Sequence, residues 1–477
     1  MTIQELDILN KQLEDRTNVD IEKIEKSLGD SERGTFFRYP FNLGSVKMYQ
    51  PPRGTRDFLP EEMYKRNWVL DQIRSVYEAY GFEPLGTPAF ESWELLKLKS
   101  GADVINQIYY FKDKADRELG LRFDLTTSLA RVVAVHRELQ MPFKRYAMGT
   151  VWRYENPSEK RFREFWQADA DTIGVSDSIA DAEVLAAAVD CLKKMGFDGF
   201  VIKLNDRRIL EAFIRKAGVP QDGLLDAIRV VDKLLKIGKD RVIEELTKLS
   251  VEVESANLLL DSLAQTGAPA KVLDDTEKKL SDSPEGLLGL KALRELIEYA
   301  KSFGYVEYIV VELSLARGLD YYTGPVFEVL AEGYENYGSI AGGGRYDGII
   351  KLMGGGSTPA TGISFGIERL VPLIETKGGF KDLKLGVDVL IAPISELVKD
   401  EAIKVAQDLR SVGVSTIVDL LGRRFSKQLE YANKKGVRKV VIIGERELEE
   451  GCLTIRDMKT GEQVKVERSK LLECIAA

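Results

Sequence analysis

The strongest constraint on this chain lies at residues 309–324, where a strand pattern is broken by a fixed cation. From Ile309 onward Val311, Leu313 and Leu315 are apolar while Glu312 and Ser314 are polar, the period of two expected of a strand with one buried face. The alternation stops at Arg317-Gly318 and runs into Leu-Asp-Tyr-Tyr-Thr-Gly. A core strand has no use for a guanidinium at its end, whereas a site that must hold an anion does. Tyr321 and Tyr322 would point to opposite faces of an extended chain, so one is expected to pack on the sheet and the other to line a polar pocket. The competing reading is a surface turn with ordinary aromatic packing.

At 477 residues the chain exceeds what one hydrophobic core usually supports, so two or three domains are expected. No apolar run approaches membrane length, and the N-terminal Met-Thr-Ile-Gln-Glu-Leu-Asp has neither a basic nor an apolar leader, which predicts a soluble, cytoplasmic protein with no membrane partner. The three cysteines, Cys191, Cys452 and Cys474, are far apart and form no Cys-x-x-Cys pair, arguing for reduced thiols and against structural zinc. His136 is the only histidine, so neither a histidine metal cluster nor a Ser-His-Asp triad can be assembled, and His136 is read as structural. A net charge of -8 argues against nucleic-acid binding by bulk charge. Any such contact needs a local patch, and residues 423–439 supply one: Arg423, Arg424, Lys427, Lys434, Lys435, Arg438 and Lys439 stand against one acid, Glu430. Its plain alternative is a solvated helix face.

Residues 1–46, rich in Asp, Glu, Lys and Asn, read as an N-terminal extension of unknown role. A turn-rich entry at 51–60 leads into a helix with Val69, Ile73, Val76 and Tyr77 on one stripe, stopped by Gly81. Residues 82–88 read as an edge strand because Pro84 and Pro88 exclude a central one. Leu-Arg-Phe-Asp-Leu-Thr-Thr-Ser (121–128) puts Asp124 and Thr126 on one side of an extended chain, a compact acceptor pair, with a helix from about Ser128. Residues 146–171 read as an antiparallel hairpin turning at Asn156-Pro157. There Arg153, Arg161 and Arg163 gather beside carboxylates and aromatics, the mixture that a ribose-linked triphosphate needs. Residues 206–304 have a helical period and few strand signals, and read as a separate helical insertion. Two more strands are expected at 326–330 and 337–341, with the glycines at 342–344 as a loop that lets backbone approach a ligand. From residue 385 the spacing of strands at 387–392, 415–419 and 439–443, with a helix closing at Gly413, suggests a small α/β domain.

Leu-Ala-Arg-Gly-Leu-Asp-Tyr-Tyr-Thr-Gly (315–324), followed by Ala-Gly-Gly-Gly-Arg-Tyr-Asp-Gly (341–348), resembles the pair of histidine-binding signatures of the histidyl-tRNA synthetases, a class II aminoacyl-tRNA synthetase family. Residues 146–171 resemble class II motif 2, residues 360–370 motif 3, and the helix feeding residues 82–88 the dimer-forming motif; Arg-Phe-Asp-Leu-Thr is nearer the archaeal and eukaryotic branch. The resemblance implies an α+β fold. A catalytic domain (47–205 and 305–380) would be built on a mixed, mostly antiparallel sheet, with a helical insertion (206–304) and a C-terminal α/β anticodon-binding domain (384–477). It implies a histidine–tRNA ligase that uses ATP with Mg2+ to form histidyl-adenylate and then charges the 3′ end of tRNA(His), acting as a homodimer.

Carried onto this chain, the resemblance makes Arg317 and Arg153 catalytic, and it assigns histidine binding to Asp124, Thr126, Arg153, Gln167, Asp171, Arg317, Tyr321 and Tyr322. ATP would be held by Arg153, Glu155, Arg161, Phe165 and Arg369, with Phe165 and Arg369 sandwiching adenine. Glu155 is the candidate to hold magnesium, which no protein cluster binds alone. Arg423, Arg424 and Lys427 would touch tRNA. Lys160 departs from the family, which often has glycine there. Two other classes share these residues: a histidine-sensing regulatory subunit of ATP phosphoribosyltransferase, which should lack the C-terminal domain and the signature arginine, and a non-catalytic RNA-binding regulator, against which the intact ATP-site residues argue.

Overall fold

The computed structural model describes residues 49–98, 102–158, 161–317, 321–381, 383 and 386–476, and the compact body considered below starts at Gly54. The extension expected at residues 1–46 lies outside the described residues.

Helix α1 (Pro60–Ala79) opens with proline at its first position, where the absent N–H would have had no partner. Glu62 reaches back to accept the Leu59 N–H at 3.3 Å. The helix buries Val69, Leu70, Ile73, Val76 and Tyr77, the stripe its spacing predicts. Strand β1 (Glu83–Pro84) then pairs at the sheet edge. A small antiparallel sheet follows, β2 (Phe90–Ser92), β3 (Tyr110–Lys112) and β4 (Glu118–Leu121), with β4 in the middle. After helix α2 (Thr126–Val135) comes the long hairpin β5 (Phe143–Trp152) and β6 (Glu164–Ile173), then helix α3 (Ile179–Lys194) and strand β7 (Phe200–Asp206). Helices α4 (Arg207–Lys216) and α5 (Leu224–Val231), strand β8 (Thr266–Gly267) and helix α6 (Pro284–Phe303) lead back to β9 (Ile309–Glu312), β10 (Pro325–Ala331), β11 (Ala341–Arg345) and β12 (Ala360–Gly366), closed by helix α7 (Ile367–Thr376).

The main sheet has the order β1-β5-β6-β12-β11-β10-β7-β9-β8. It is antiparallel except for β1 with β5 and β7 with β9, the mixed, mostly antiparallel sheet expected. Alternation divides its two faces. Ala168, Ala170, Ile202, Leu204, Phe327 and Val329 join one contiguous core with α1, α3, α6 and α7. The intervening residues face the other way and form the floor of the site.

Two expectations change here. The glycine run is strand β11, paired on both sides with β10 and β12, and not a loop. The strand expected at 337–341 starts only at Ala341, because Glu335–Tyr337 forms a 3-10 turn. In packing, the separateness expected of residues 206–304 does not hold either. The segment is helical, but α4 begins at the end of β7, with the Asp206 carboxylate accepting the Arg208 N–H at 2.9 Å. Leu210, Leu246, Leu260, Leu293 and Leu296 share the same core as Val69 and Phe327. The helical period was visible in sequence; that its apolar stripes would be spent on the main sheet was not.

The C-terminal part has its own sheet: β13 (Val389–Pro393), β14 (Thr416–Val418), β15 (Lys439–Ile443), β16 (Cys452–Asp457) and β17 (Gln463–Glu467), in the order β14-β13-β15-β16-β17. The first three are parallel, and helices α8 (Lys399–Ser411) and α9 (Phe425–Lys434) connect them. Val389 and Ile391 pack on α8 residues Ala402, Val405 and Leu409, while Leu390 and Ala392 pack on Ala432 of α9. The β16–β17 hairpin was unforeseen; Thr454, Arg456 and Lys465 make it look polar. No helix among the described residues is long and apolar enough to cross a membrane.

Candidate active site

On the face of the main sheet opposite the helices lies a cleft of about 1180 Å³. Strand alternation decides what reaches it: along β6, Ala168 and Ala170 go to the core while Gln167, Asp169 and Asp171 line the cleft, and along β10 Glu328 and Leu330 do so between core residues. Asp124, Thr126, Arg153, Glu155, Arg161 and Phe165 line the same cleft, together with Arg317, Tyr321, Tyr322 and Arg369.

Arg317 sits at its inner end with a left-handed backbone, φ 56°. For a residue with a side chain this costs about 1–3 kcal/mol and persists only where the surroundings demand it. Here the guanidinium lies along the sheet floor, with Nη1 donating to Glu328 Oε1 at 2.6 Å. Burial works against its charge, but Tyr322 and Glu328 outweigh it and hold the proton more tightly than usual. It is therefore a permanent cation inside the cleft, and its side chain is only 19% exposed.

The glycines of the neighbouring strands explain how so much side chain fits. A Cβ on Gly342 would meet Arg317 Cζ at 2.7 Å, and one on Gly344 would meet the Tyr322 ring at 2.9 Å. One on Gly362 would run into the Asp171 carboxylate. The room left by missing side chains is thus taken by site residues of the protein itself. Tyr321 and Tyr322 correct a further expectation: both are buried and both line the cleft, because they lie in a turn rather than a strand and so are not forced to opposite faces. Their rings are 4.8 Å apart, and Tyr321 meets Tyr346 at 5.8 Å. Tyr321 hydrogen-bonds Thr126, and Tyr322 hydrogen-bonds Arg317.

Asp124 and Thr126 are not on an extended chain. Thr126 is the first residue of α2, and Asp124 Oδ1 accepts the Thr127 N–H at 2.8 Å, satisfying one of the open donors at that helix start. Arg153 lies just beyond β5, between the rings of Phe123 (4.3 Å) and Phe165 (5.1 Å), with Nε donating to the Phe123 carbonyl at 3.2 Å. Burial lowers its hold on the proton, and Asp124 and Glu155 oppose that. At the cleft mouth Arg161 faces Glu155 at 3.7 Å, and Arg369 donates to the Ser339 carbonyl at 2.6 Å.

Asp171 lines the cleft, with Oδ1 hydrogen-bonded and Oδ2 held by an ion pair without a hydrogen bond. Arg145 Nη2 lies 2.8 Å from Oδ2, and the Tyr346 hydroxyl donates to Oδ1. Sequence reasoning passed over Arg145, Asp169 and Glu328, and placed Tyr346 in the second signature without a role. The available signal was Gln-Ala-Asp-Ala-Asp (167–171), whose alternation puts three polar side chains in one row. It also missed Asp232, Lys233 and Lys236, just after α5, which form one wall of the cleft. In the second signature Arg345 turns away: it pairs with Asp181 at 3.1 Å and donates to the Val175 carbonyl at 2.9 Å, tying β11 to the start of α3.

His136 caps the end of α2, is exposed, and meets Glu138 at 2.8 Å. In the C-terminal part, Arg423 is committed to Asp419 and lies 4.3 Å over the Tyr431 ring, Arg424 is exposed at the start of α9, and Lys427 donates to Glu430 at 2.8 Å. Arg438 pairs with Asp388 at 2.7 Å and Lys439 donates to the Cys474 carbonyl at 2.8 Å, so part of the basic run holds its own domain together. Among the described residues no three His, Cys, Asp or Glu side chains converge as a metal site.

Comparison with known proteins bears on both halves of the molecule. The family described as histidyl-tRNA synthetase matches residues 54–370, and that described as anticodon binding domain matches residues 388–477. The chain is 40% identical over 427 residues to a histidine–tRNA ligase of Pyrococcus furiosus, covering 89% of this chain and 98% of that protein. It is 38% identical over 423 residues to that of Methanocaldococcus jannaschii, covering 88% and 97%. Among solved structures, the histidyl-tRNA synthetase from Nostoc superposes with a TM-score of 0.77 at 32% identity, covering 90% of this chain and 99% of that one.

Proposed function

The chain belongs to the histidyl-tRNA synthetase family and its activity is that of an ATP-dependent histidine–tRNA ligase; from that premise we propose how its own residues perform the reaction. Histidine lies along β6 with its α-amino group at Asp124 and Thr126 and its carboxylate beside Arg153 and Arg317. Gln167, Asp171, Tyr321 and Tyr322 complete its pocket. Adenine is held between Phe165 and Arg369, the outer phosphates at Arg161. The histidine carboxylate attacks the α-phosphorus, pyrophosphate leaves, and charge builds on the phosphate oxygens, where fixed cations stabilise the transition state more than the ground state. The terminal ribose hydroxyl of tRNA(His) then attacks the adenylate carbonyl, its proton passing to a phosphate oxygen of the adenylate, and the acyl–phosphate bond breaks to release AMP.

The single observation that carries this reading is Arg317, a partly buried cation held at the inner end of the cleft by Glu328 and Tyr322. For magnesium, the fit is to one carboxylate: Glu155, loosely opposed by Arg161 at 3.7 Å, would hold an ion that arrives with the phosphates and neutralises their charge.

Residues 47–205 and 305–380 act as the catalytic domain, 206–304 as the insertion and 384–477 as the anticodon-binding domain. Arg424 and Lys427 meet tRNA from an exposed helix, while Arg423 acts through the Asp419 pair that orders the segment. The proposal includes a homodimer built at the β1 edge and a cytoplasmic location, supported by unpaired cysteines. Amino-acid-dependent ATP–pyrophosphate exchange with all twenty amino acids tests the reaction: exchange with histidine alone is expected, and its absence would overturn the reading. Sedimentation tests the dimer; a monomer at micromolar concentration would remove it.

A further inference from the structure

We infer that Asp169 accepts a ring N–H of the substrate imidazole through its open Oδ1 oxygen, and is thereby a specificity-determining residue of this site; the inference rests on the histidine-activating reading above.

Asp169 is 3% exposed, lines the cleft, and its Oδ1 has no hydrogen-bond partner. A buried carboxylate oxygen without a donor is a standing penalty of about 1–3 kcal/mol or more, which folding alone gives no reason to keep. Arg145 spends Nη2 on Asp171 and, with Nε and Nη1 also unbonded, reaches Asp169 by its charge and not by a hydrogen bond, while Tyr346 donates to Asp171. Burial raises the Asp169 carboxyl to about 7, with Arg145 opposing and Asp171 adding to the rise, as expected of an acid short of donors.

Although Arg317 fills the room over Gly342, Asp169 has small side chains beside it on the cleft floor. Its cross-strand neighbours are Ala147 on β5 and Ser364 on β12, and Ser364 in turn faces Gly342 on β11. Ser364 hydrogen-bonds Asp169 and accepts from Gln167 Nε2 at 2.7 Å, which orients the carboxylate without filling the cleft. The direction of β6 decides which part of the substrate arrives there. The strand runs from Phe165 at the adenine end to Asp171, so an amino acid whose carboxylate points at ATP beside Arg153 extends its side chain toward residues 169 and 171. Of the three phenols nearby, Tyr346 donates to Asp171, while Thr126 and Arg317 act on the oxygens of Tyr321 and Tyr322. A donor on the substrate ring meets Asp169, and an isosteric ring without that donor leaves the carboxylate unpaired, the condition under which polar sites discriminate strongly.

The test is histidine-dependent pyrophosphate exchange on the full chain and on Asp169→Asn and Asp169→Ala, with histidine and with both ring-N-methylated histidines as substrates. The variants are expected to raise KM for histidine about 10- to 100-fold, the size of a lost hydrogen bond to a charged group, while KM for ATP stays within about twofold. Unchanged histidine KM in folded variants would overturn the inference. If the variants fail to fold, the unaltered protein decides: rejection of one N-methyl isomer by more than about tenfold supports it, and activation of both isomers as readily as histidine overturns it. An unaltered protein inactive with histidine itself would instead remove the parent reading, and this one with it.

Discussion

The cleft floor and helix α9 of the C-terminal part are both dense in charge, and they use it in opposite ways. On the floor the Arg145–Asp171 side chains are 0% and 4% exposed, whereas the Lys427–Glu430 pair on α9 is 68% and 45% exposed. Losing one partner of a buried pair leaves a charge in a medium that cannot solvate it, while an exposed pair exchanges one solvated state for another. The floor charges are accordingly fixed by burial and by side chains of adjoining strands, and those of α9 remain free to turn toward an anionic partner. Position, not residue type, separates the two.

The contrast can be broken most directly at Arg317. Arg317→Ala is expected to lower histidine-dependent pyrophosphate exchange on the order of 1000-fold or more in a protein that still folds. Near-normal exchange would place the cation outside the chemistry. Next in size, Asp171→Ala should destabilise the fold by about 3–5 kcal/mol in urea unfolding, because Arg145 is left buried and unpaired. Gly342→Ala tests the close packing of the floor: its Cβ would push the Arg317 guanidinium aside, and exchange should fall about 100-fold, whereas Gly86→Ala, with open space around it, should be silent.

A pH series sharpens the same comparison. The folded state raises the Asp169 carboxyl to about 7 from 3.8, so it binds that proton more tightly than the unfolded chain does. This contribution to stability is fully present below about pH 4 and is lost as pH rises through 7. Thermal unfolding should show that downward slope, and Asp169→Asn should remove it. Smallest of all, Lys427→Ala should change stability by no more than about 0.5 kcal/mol and leave exchange untouched. It should raise KM for tRNA about two- to fivefold, with a weaker dependence on salt.

Much of the site was legible in the sequence. Arg317 announced itself by ending a strand pattern with a cation, and the hairpin around Arg153 and Phe165 by its turn and its mixture of arginine, acid and ring. The assigned cleft residues do meet in one cavity. What stayed hidden were relations between segments far apart in the chain: that Gly342, Gly344 and Gly362 clear space for Arg317, Tyr322 and Asp171, and that Arg145 bonds Asp171 across the β5–β6 register. Arg423 looked like a free cation because its partner Asp419 was read as part of a strand.

The order of elements, the period of each and the residue types carrying the chemistry were written in the sequence by itself, because helix stripes, strand alternation and turn residues act over a few neighbours. Which charges would be buried, which oxygens left without a donor, and which helices would lend their apolar faces to the main sheet were settled only by tertiary packing. Burial and pairing depend on what another strand places opposite, and no local pattern carries that information.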